Sequence, residues 1–127
     1  MGNLCWLEDH RDQALFHFER ALELRSDMSP LLNNMAYLIA TDEKKRDLER
    51  ALALVNTALA DRPDDARFLD TRGTIHYLGE DWKSALTDLE RAVRGVRDKK
   101  AIHRKLATIY DKLGMQAIAD EHRKLAE

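Results

Sequence analysis

The stretch that decides the fold reads FLDTRGTIHYLGEDWKSALTDLERA and runs from Phe68 to Ala92. It contains two amphipathic helical segments separated by a short polar turn. Small residues at Gly73, Ala85 and Ala92 stand where two helices must approach closely, and four leucines supply the apolar filling: Leu69, Leu78, Leu86 and Leu89. A helical hairpin of this size cannot bury its apolar faces alone. The stretch therefore predicts neighbouring hairpins of the same kind.

Two series of small residues recur along the chain. Gly2, Ala36, Gly73 and Ala107 lie in matching contexts at intervals of 34, 37 and 34 residues. A second series consists of alanine pairs spaced seven residues apart: Ala14 and Ala21, Ala51 and Ala58, Ala85 and Ala92, Ala119 and Ala126. Seven residues make two helical turns, so each pair lies on one helix face.

These two series resemble the tetratricopeptide repeat, a helical hairpin with a period of 34 residues. The resemblance covers essentially the whole chain. It implies an all-α fold in which tetratricopeptide-type hairpins form a right-handed superhelix, or solenoid. We expect one domain over residues 1–127, with a partial first repeat at 1–27 and full repeats at 28–63, 64–97 and 98–127.

In the second repeat the sequence predicts helices from Pro30 to Ala40 and from Asp47 to Ala60. Ser29 is the expected N-cap, because a serine before a proline at the first helical position is a common helix start. The turn within Thr41–Arg46 carries about three extra residues, which accounts for the longer interval between the second and third repeats. A charged turn of this kind is typically solvated.

In the third repeat Trp82 is expected to open the second helix. Gly79 falls one place earlier than the usual turn glycine of the family, which predicts that the preceding helix is one residue shorter. Pro63 ends the second repeat, but no proline ends the third. Gly95 is therefore the expected signal for the end of the third repeat's second helix.

Composition argues against several classes of function. A formal net charge of −2 and 6% aromatic residues give no nucleic-acid footprint. The longest nearly apolar stretch, Met35 to Ala40, is far below the roughly 18 residues of a membrane-spanning helix. The N-terminus lacks the features of a signal peptide. The single cysteine, Cys5, excludes an internal disulfide framework and fits a reducing compartment. We expect a cytoplasmic protein with neither nucleic-acid nor membrane partners.

The first residues, Met-Gly-Asn-Leu-Cys, raise the alternative of an acylated N-terminus. Trp6 stands where the myristoylation pattern requires serine or threonine. The repeat also asks independently for a small residue at Gly2, so packing explains this glycine better than lipidation does.

No pattern of catalytic or metal-binding residues emerges. The five histidines form no HExxH motif and no Cys/His cluster, and no glycine-rich phosphate loop occurs. The acidic residues are dispersed over helix faces, often at helical spacing from a Lys or Arg. We expect no enzymatic activity, no cofactor and no metal, and we place the histidines at helix surfaces and packing positions between repeats.

The resemblance implies a binding surface, because the first helices of such repeats line a concave face that binds peptide segments. The residues that match its inward positions are Asn3, Asn33, Asn34, Tyr37, Arg67, Asp70, Thr74, Tyr77, Arg104, Thr108 and Asp111. We therefore expect a non-catalytic scaffold that binds another protein or a peptide segment.

One alternative is a special case of that surface. Some members of the family grip a terminal carboxylate with a clamp of five polar residues. Asn3, Asn34 and Arg67 fall at three of its places, but Thr71 replaces the final arginine and the first lysine would precede Met1.

The other alternative is structural. The chain could be a segment of a larger solenoid, or a module that forms homo-oligomers through uncapped solenoid ends. Trp6, Leu7, Ile118 and Leu125 would then be available to a partner.

Overall fold

The computed structural model describes residues 28–44 and 46–127. These residues form six α-helices and no strand. The helices are α1 (Ser29–Thr41), α2 (Leu48–Asp61), α3 (Ala66–Leu78), α4 (Trp82–Ala92), α5 (Lys100–Lys112) and α6 (Gln116–Leu125). The predictions made for the partial first repeat lie outside the described residues.

Successive helices pair into three hairpins, α1 with α2, α3 with α4, and α5 with α6. The chain divides into two compact units, Met1–Pro63 and Asp64–Glu127. The described part of the first unit is the α1–α2 hairpin. The second unit holds the other two hairpins, in which α5 also contacts α3 and α4. The division falls at a predicted repeat boundary, and the grouping of all repeats into one domain stays a prediction.

Gly73 sets the distance between α3 and α4. A Cβ atom at this position would lie 2.7 Å from both Cγ and Cδ2 of Leu89, and 3.3 Å from Cβ of Asp88. Leu89 is fully buried, so it has little room to move away in a close-packed interior. The absence of a side chain at Gly73 is thus what permits the close approach that the sequence predicted.

Small residues at equivalent positions are buried in the other two hairpins as well, except Ala126, which caps the end of α6 and is only partly buried. Val55 and Met35 are also buried in the α1–α2 hairpin, and Leu106 and Ile109 are buried in the α5–α6 hairpin. The buried alanines are Ala36, Ala51, Ala58, Ala107 and Ala119. The alanine and glycine series therefore marks the packed face of each described hairpin.

Aspartate caps begin three of the helices. Asp47 accepts a hydrogen bond from the backbone N–H of Arg50 at the start of α2. Asp65 caps α3 and Asp81 caps α4 in the same manner. A cap of this type contributes about 0.5–2 kcal/mol by satisfying a backbone donor in the first turn.

The prediction of Ser29 as the N-cap of α1 is wrong. The cap residue is Met28, which makes no side-chain capping bond, and Ser29 already belongs to the helix. The Ser29 hydroxyl is buried and donates to Oδ2 of Asp61 at 2.7 Å. The hydroxyl thus links α1 to the end of α2, and it does not cap a backbone N–H in the first turn of α1.

The turn between α1 and α2 has the extra length that the sequence predicted. It spans six residues, 42–47, whereas 79–81 and 113–115 connect the other two hairpins with three residues each. The turn is also tied to the first helix, because Nε of Arg46 donates to the carbonyl oxygen of Ala40 at 2.9 Å.

The expectation that Gly79 shortens its helix is wrong, because α3 and α5 both have 13 residues. The residue that adopts the left-handed conformation after α3 is Glu80, with φ of 60°. Its equivalent 34 residues later is Gly114, with φ of 79°. A side chain in this conformation costs about 1–2 kcal/mol. Because the glycine stands one place earlier, at Gly79, the backbone strain falls on Glu80.

The expectation for Gly95 is also wrong in its mechanism. Helix α4 ends at Ala92, and its cap residue Val93 has a right-handed conformation. A Cβ atom on Gly95 would lie 2.8 Å from Cβ of Ala66, the first residue of α3. Gly95 is therefore required for close approach and not for a left-handed helix end.

We predict that Glu80→Gly stabilises the protein by about 0.5–1 kcal/mol, because removal of the strain exceeds the entropic cost of a new glycine. Gly114→Ala should cost about 1 kcal/mol, since its Cβ would meet no atom within 4 Å and only the positive φ is unfavourable. Glu80→Ala, which retains the strained conformation, is the control and should change little. Urea denaturation of the three variants measures these differences, and no stabilisation by Glu80→Gly would contradict the strain.

Candidate functional site

Three of the predicted binding residues lie on α1. Asn34 and Tyr37 are exposed, with 51% of Tyr37 open to solvent. Asn33 is only partly exposed, and its Oδ1 is buried without a hydrogen-bond partner among the described residues. The α1 surface therefore offers an exposed amide and an exposed phenol, while the second amide is turned partly inward.

Arg67 at the start of α3 is exposed but already occupied. Its Nε and Nη2 lie 3.3 and 3.1 Å from Oδ1 and Oδ2 of Asp65, and its guanidinium lies 5.4 Å from the ring centre of Phe68. The hydrogen bond from Arg67 lowers the pKa of Asp65. A ligand carboxylate would have to compete with Asp65 for this guanidinium.

The carboxylate clamp gains no support at its remaining described place. Thr71 is buried, and its hydroxyl donates to the carbonyl oxygen of Arg67 at 3.1 Å. It brings no positive charge to the surface. Asn3 lies outside the described residues.

Thr74 is largely enclosed by its neighbours and offers little surface to a partner. Only 6% of Thr74 is exposed, because α3 packs against both α4 and α5. Tyr77, one turn further on, is partly exposed and meets Trp82 edge to face, with 5.7 Å between ring centres. Tyr77 is thus held in one orientation by the opening residue of α4.

Asp70 sits between these residues on α3 and is partly buried. Its Oδ1 is buried without a hydrogen-bond partner among the described residues. Burial raises the pKa of Asp70, while the nearby charge of Lys105 and a hydrogen bond from Thr74 act in the opposite direction. The ionised carboxylate of Asp70 therefore lowers the stability of the folded chain.

The predicted residues of α5 differ in their availability. Arg104 is exposed, and its carbonyl oxygen accepts a hydrogen bond from the Thr108 hydroxyl at 3.2 Å. Asp111 is paired with Arg123 of α6, with 2.6 Å between Oδ2 and Nη1. Arg123 also binds Asp120. Asp111 thus ties α5 to α6, whereas Arg104 and Thr108 lie free of such a crosslink.

Within residues 64–127 the structure brings two groups of predicted residues onto neighbouring helices. Helices α3 and α5 contact one another, and the charge of Lys105 on α5 acts on Asp70 of α3. Arg67, Asp70 and Tyr77 therefore lie on the helix beside the one that carries Arg104. The α1 residues belong to the other unit.

Sequence reasoning missed a polar cluster between the last three helices. The Nδ1 atoms of His103 and His122 lie 2.9 Å apart, a hydrogen-bond distance that requires one of them to be unprotonated. His122 stacks on Tyr110, and the Tyr110 hydroxyl donates to Oε1 of Glu90 at 3.2 Å. This histidine pair lies within the last hairpin and not between repeats, and no spacing rule pairs residues 19 apart on different helices.

A second missed interaction lies inside the α3–α4 hairpin. Nε and Nη2 of Arg72 donate to Oδ2 and Oδ1 of Asp88 at 2.8 and 3.0 Å. Asp88 is 3% exposed, so this two-point contact compensates a buried carboxylate.

Neither a cluster of metal-ligating side chains nor a membrane-spanning helix occurs in the part of the chain that the structure describes. Within residues 28–44 and 46–127, no group of three or more His, Cys, Asp or Glu side chains could hold a metal ion. Within the same ranges no helix has both the length and the apolar character to cross a membrane.

The fold defines an array of helical hairpins closed by small residues, which is an all-α solenoid of the tetratricopeptide type. Solved structures share this fold, among them two that cover nearly all of this chain. "Crystal structure of MamA" is 15% identical and has a TM-score of 0.81, with 98% of this chain and 71% of that chain covered. "MamA 41-end from Desulfovibrio magneticus RS-1" is 18% identical, with a TM-score of 0.82 and coverages of 99% and 70%.

MamA contains tetratricopeptide repeats, so this likeness confirms the predicted fold class. No protein-family model matches the chain, and no curated protein is similar to it in sequence.

We predict that the protein becomes less stable as the pH falls from about 7.5 to about 5.5. Burial and the neighbouring His122 lower the pKa of His103, although Glu90 opposes them. The unfolded chain binds a proton near the ordinary pKa of 6.5, while the folded chain does so only at lower pH. The contribution of neutral His103 to the free energy of unfolding is therefore complete above pH 6.5, and it is lost as the pH falls through the lower pKa of His103 in the folded chain.

Urea denaturation across this pH range measures the effect. His103→Asn, which retains a polar atom near the Nδ1 position but does not titrate, should weaken the pH dependence. His76→Asn is the control in the same unit and should retain it. An unchanged pH dependence in His103→Asn would exclude His103 as its source.

We predict that Asp70→Asn stabilises the protein at neutral pH by about 0.5–1 kcal/mol, after allowance for solvent screening of a partly buried group. Because burial raises the pKa of Asp70, its cost is absent below the unfolded value of 3.8 and appears as the pH rises through the folded pKa. The gain should therefore vanish in strongly acidic solution. Thermal unfolding at neutral pH and in strongly acidic solution checks this gain, with the exposed Glu121→Gln as the control.

Proposed function

We propose that this chain is a non-catalytic scaffold of the tetratricopeptide repeat family that binds another protein through the first helices of its hairpins. One observation carries the proposal: α3 and α5 are in contact within one compact unit. The polar residues that we assign to the surface on these helices are Arg67, Asp70, Tyr77, Arg104 and Thr108. An extended peptide segment is the form of partner that such a surface fits best.

The side chains on α5 can bind both the backbone and the acidic groups of a peptide. Arg104 has no side-chain partner in the described part of the chain, so its guanidinium can form two parallel hydrogen bonds with a carboxylate. The Thr108 hydroxyl donates to its own helix, which leaves its oxygen as an acceptor for a peptide N–H.

The α3 side of the surface supplies apolar area and a carboxylate. Tyr77 is fixed against Trp82, so a partner can pack on it with little loss of side-chain entropy. Asp70 reduces the stability of the fold, and residues held at such a cost are candidates for a functional role. Its charge suits a lysine, an arginine or a backbone donor of the partner.

The likeness to MamA supports a scaffold of helical hairpins and leaves the partner open. The second candidate function is self-association through the C-terminal hairpin, as a structural module or part of a larger solenoid. It is favoured by the exposure of Leu125 and Met115, which are 58% and 43% open to solvent. Ile118 is partly exposed on the same helix as Leu125.

To test the scaffold function, peptides should be selected from a phage-displayed random library against the intact chain and their affinities measured by isothermal titration calorimetry. We expect Thr108→Ala to weaken binding about two- to tenfold, the range for a lost neutral hydrogen bond. Thr87→Ala is a matched control, because Thr87 donates the same type of bond to Lys83 at 3.1 Å but lies on α4.

Equal affinities of the two variants, or a selection that yields no peptide, would contradict this surface. Light scattering over a range of protein concentrations separates the second candidate. Oligomers that dissociate on Leu125→Glu would support self-association, and a monomer at all concentrations would exclude it.

A further inference from the structure

Positive charge is concentrated in one short part of the chain. Residues 94–105, which we call the basic segment, contain six cationic side chains and one acid, Asp98. The cations are Arg94, Arg97, Lys99, Lys100, Arg104 and Lys105. The segment therefore carries a charge of +5, and since the whole chain has a net charge of −2, the remainder carries −7. It covers the connection from α4 to α5 and the first turns of α5.

Most of the basic segment is exposed, and its arginine side chains have no partner among the described residues. All its cations except the partly exposed Lys105 are exposed. Across residues 28–44 and 46–127, its three arginines are the ones whose side chains make no hydrogen bond, ion pair or ring contact. Arginines elsewhere are engaged: Arg72 with Asp88, and Arg91 with Asp64 at 2.9 Å. The three arginines of the segment therefore hold none of the described hairpins together, and Lys105 is the cation of the segment whose charge acts on another helix, at Asp70 of α3.

The placement of these charges works against folding. Helix α5 begins at Lys100 with no acid in its first turn and no side-chain cap from Lys99. Cations at a helix N-terminus face the positive end of the helix dipole, and each unfavourable charge costs about 0.3–1 kcal/mol. Asp98 relieves this in part by accepting from the backbone N–H of Lys100 at 3.1 Å. A sequence that breaks a local rule in this manner signals a functional constraint.

We propose that the basic segment binds an acidic segment of the partner protein, in which Asp or Glu side chains are closely spaced. The inference rests on the proposed function and gives its partner a chemistry. Arg104 belongs to both surfaces, so an acidic stretch bound at residues 94–105 continues onto the face of α5 that carries Thr108. Arginine guanidinium groups suit carboxylates because they form two parallel hydrogen bonds.

Two other occupants fit the segment less well. It contains no Phe, Tyr or Trp on which a nucleic-acid base could stack, and the charge of −7 elsewhere repels a long polyanion. A second copy of this chain is a poor source of carboxylates, because many of its aspartates are already paired with arginine. The paired aspartates are Asp64, Asp65, Asp88, Asp111 and Asp120.

The test is a titration of the intact chain into a fluorescein-labelled peptide of alternating Glu and Ser, followed by fluorescence anisotropy at about 50 mM salt, where surface charges are weakly screened. The test variant is Arg97→Gln/Lys99→Gln/Lys100→Gln. The control variant, Lys44→Gln/Lys83→Gln/Lys124→Gln, removes the same charge from exposed sites that lie outside α5. Circular dichroism verifies that both variants are folded.

We expect the test variant to bind the Glu peptide roughly tenfold more weakly than the wild type, and the control variant to stay within about twofold. Binding by the wild type should also weaken steeply with salt. A peptide of alternating Gln and Ser should not bind. Equal losses in the two variants, or equal binding of the Gln peptide, would overturn the inference.

Other outcomes identify a different occupant and also overturn it. Tighter binding of oligothymidylate of equal charge, lost in the test variant, would assign the segment to nucleic acid. Self-association of the wild type that the test variant abolishes would assign the basic segment to a second copy of the chain.

The failure of this inference can be told apart from the failure of the proposed function. If the affinities of selected peptides depend on Thr108 but not on the basic segment, the inference fails and the proposed function stands. If Glu-peptide binding depends on the segment and Thr108→Ala has no effect in either assay, the segment stands and the α3–α5 surface fails.

Discussion

The close approach of α3 and α4 at Gly73 is the constraint on which the second unit depends. A hydrogen atom in place of a side chain lets Leu89 fill the space between the two helices. The same proximity puts Arg72 within reach of Asp88, so a buried carboxylate is compensated by a two-point ion pair. The absence of a Cβ atom at Gly73 therefore permits both the packing of Leu89 and the ion pair between Arg72 and Asp88. Together these two interactions fix the rotation of α3 about its own axis.

That rotation decides what α3 can present to a partner. With α4 and α5 both packed against it, α3 encloses Thr74 and partly desolvates Asp70, while Tyr77 rests on Trp82. Fewer α3 side chains are therefore exposed on the surface that we propose for a partner, and more of its exposed residues lie on α5. The buried oxygen of Asp70 is the clearest cost to stability on that surface.

The two sides of α5 carry different kinds of residue. Its exposed side carries cations of the basic segment. On its packed side His103 contacts His122, and Tyr110 donates a hydrogen bond to Glu90. The two sides are linked electrostatically, because the charge of Lys99 contributes to the lowered pKa of His103. The unpaired cations and the histidine pair are both departures from what helix stability alone would select, and both lie at the second unit's last hairpin.

The sequence by itself determined the hairpin repeat, the positions of the small residues and the extra length of the 42–47 turn, because each follows from spacing along the chain. It did not predict the hydroxyl bond from Ser29 to Asp61, the strain at Glu80 or the His103–His122 pair. These depend on how close two helices come and how each is rotated, quantities that packing sets between residues distant in sequence. For the proposed binding surface, the family resemblance assigned the residues to the first helix of each hairpin, and only tertiary contacts decided that Thr74 is enclosed, that Asp111 is paired and that Arg104 has no side-chain partner.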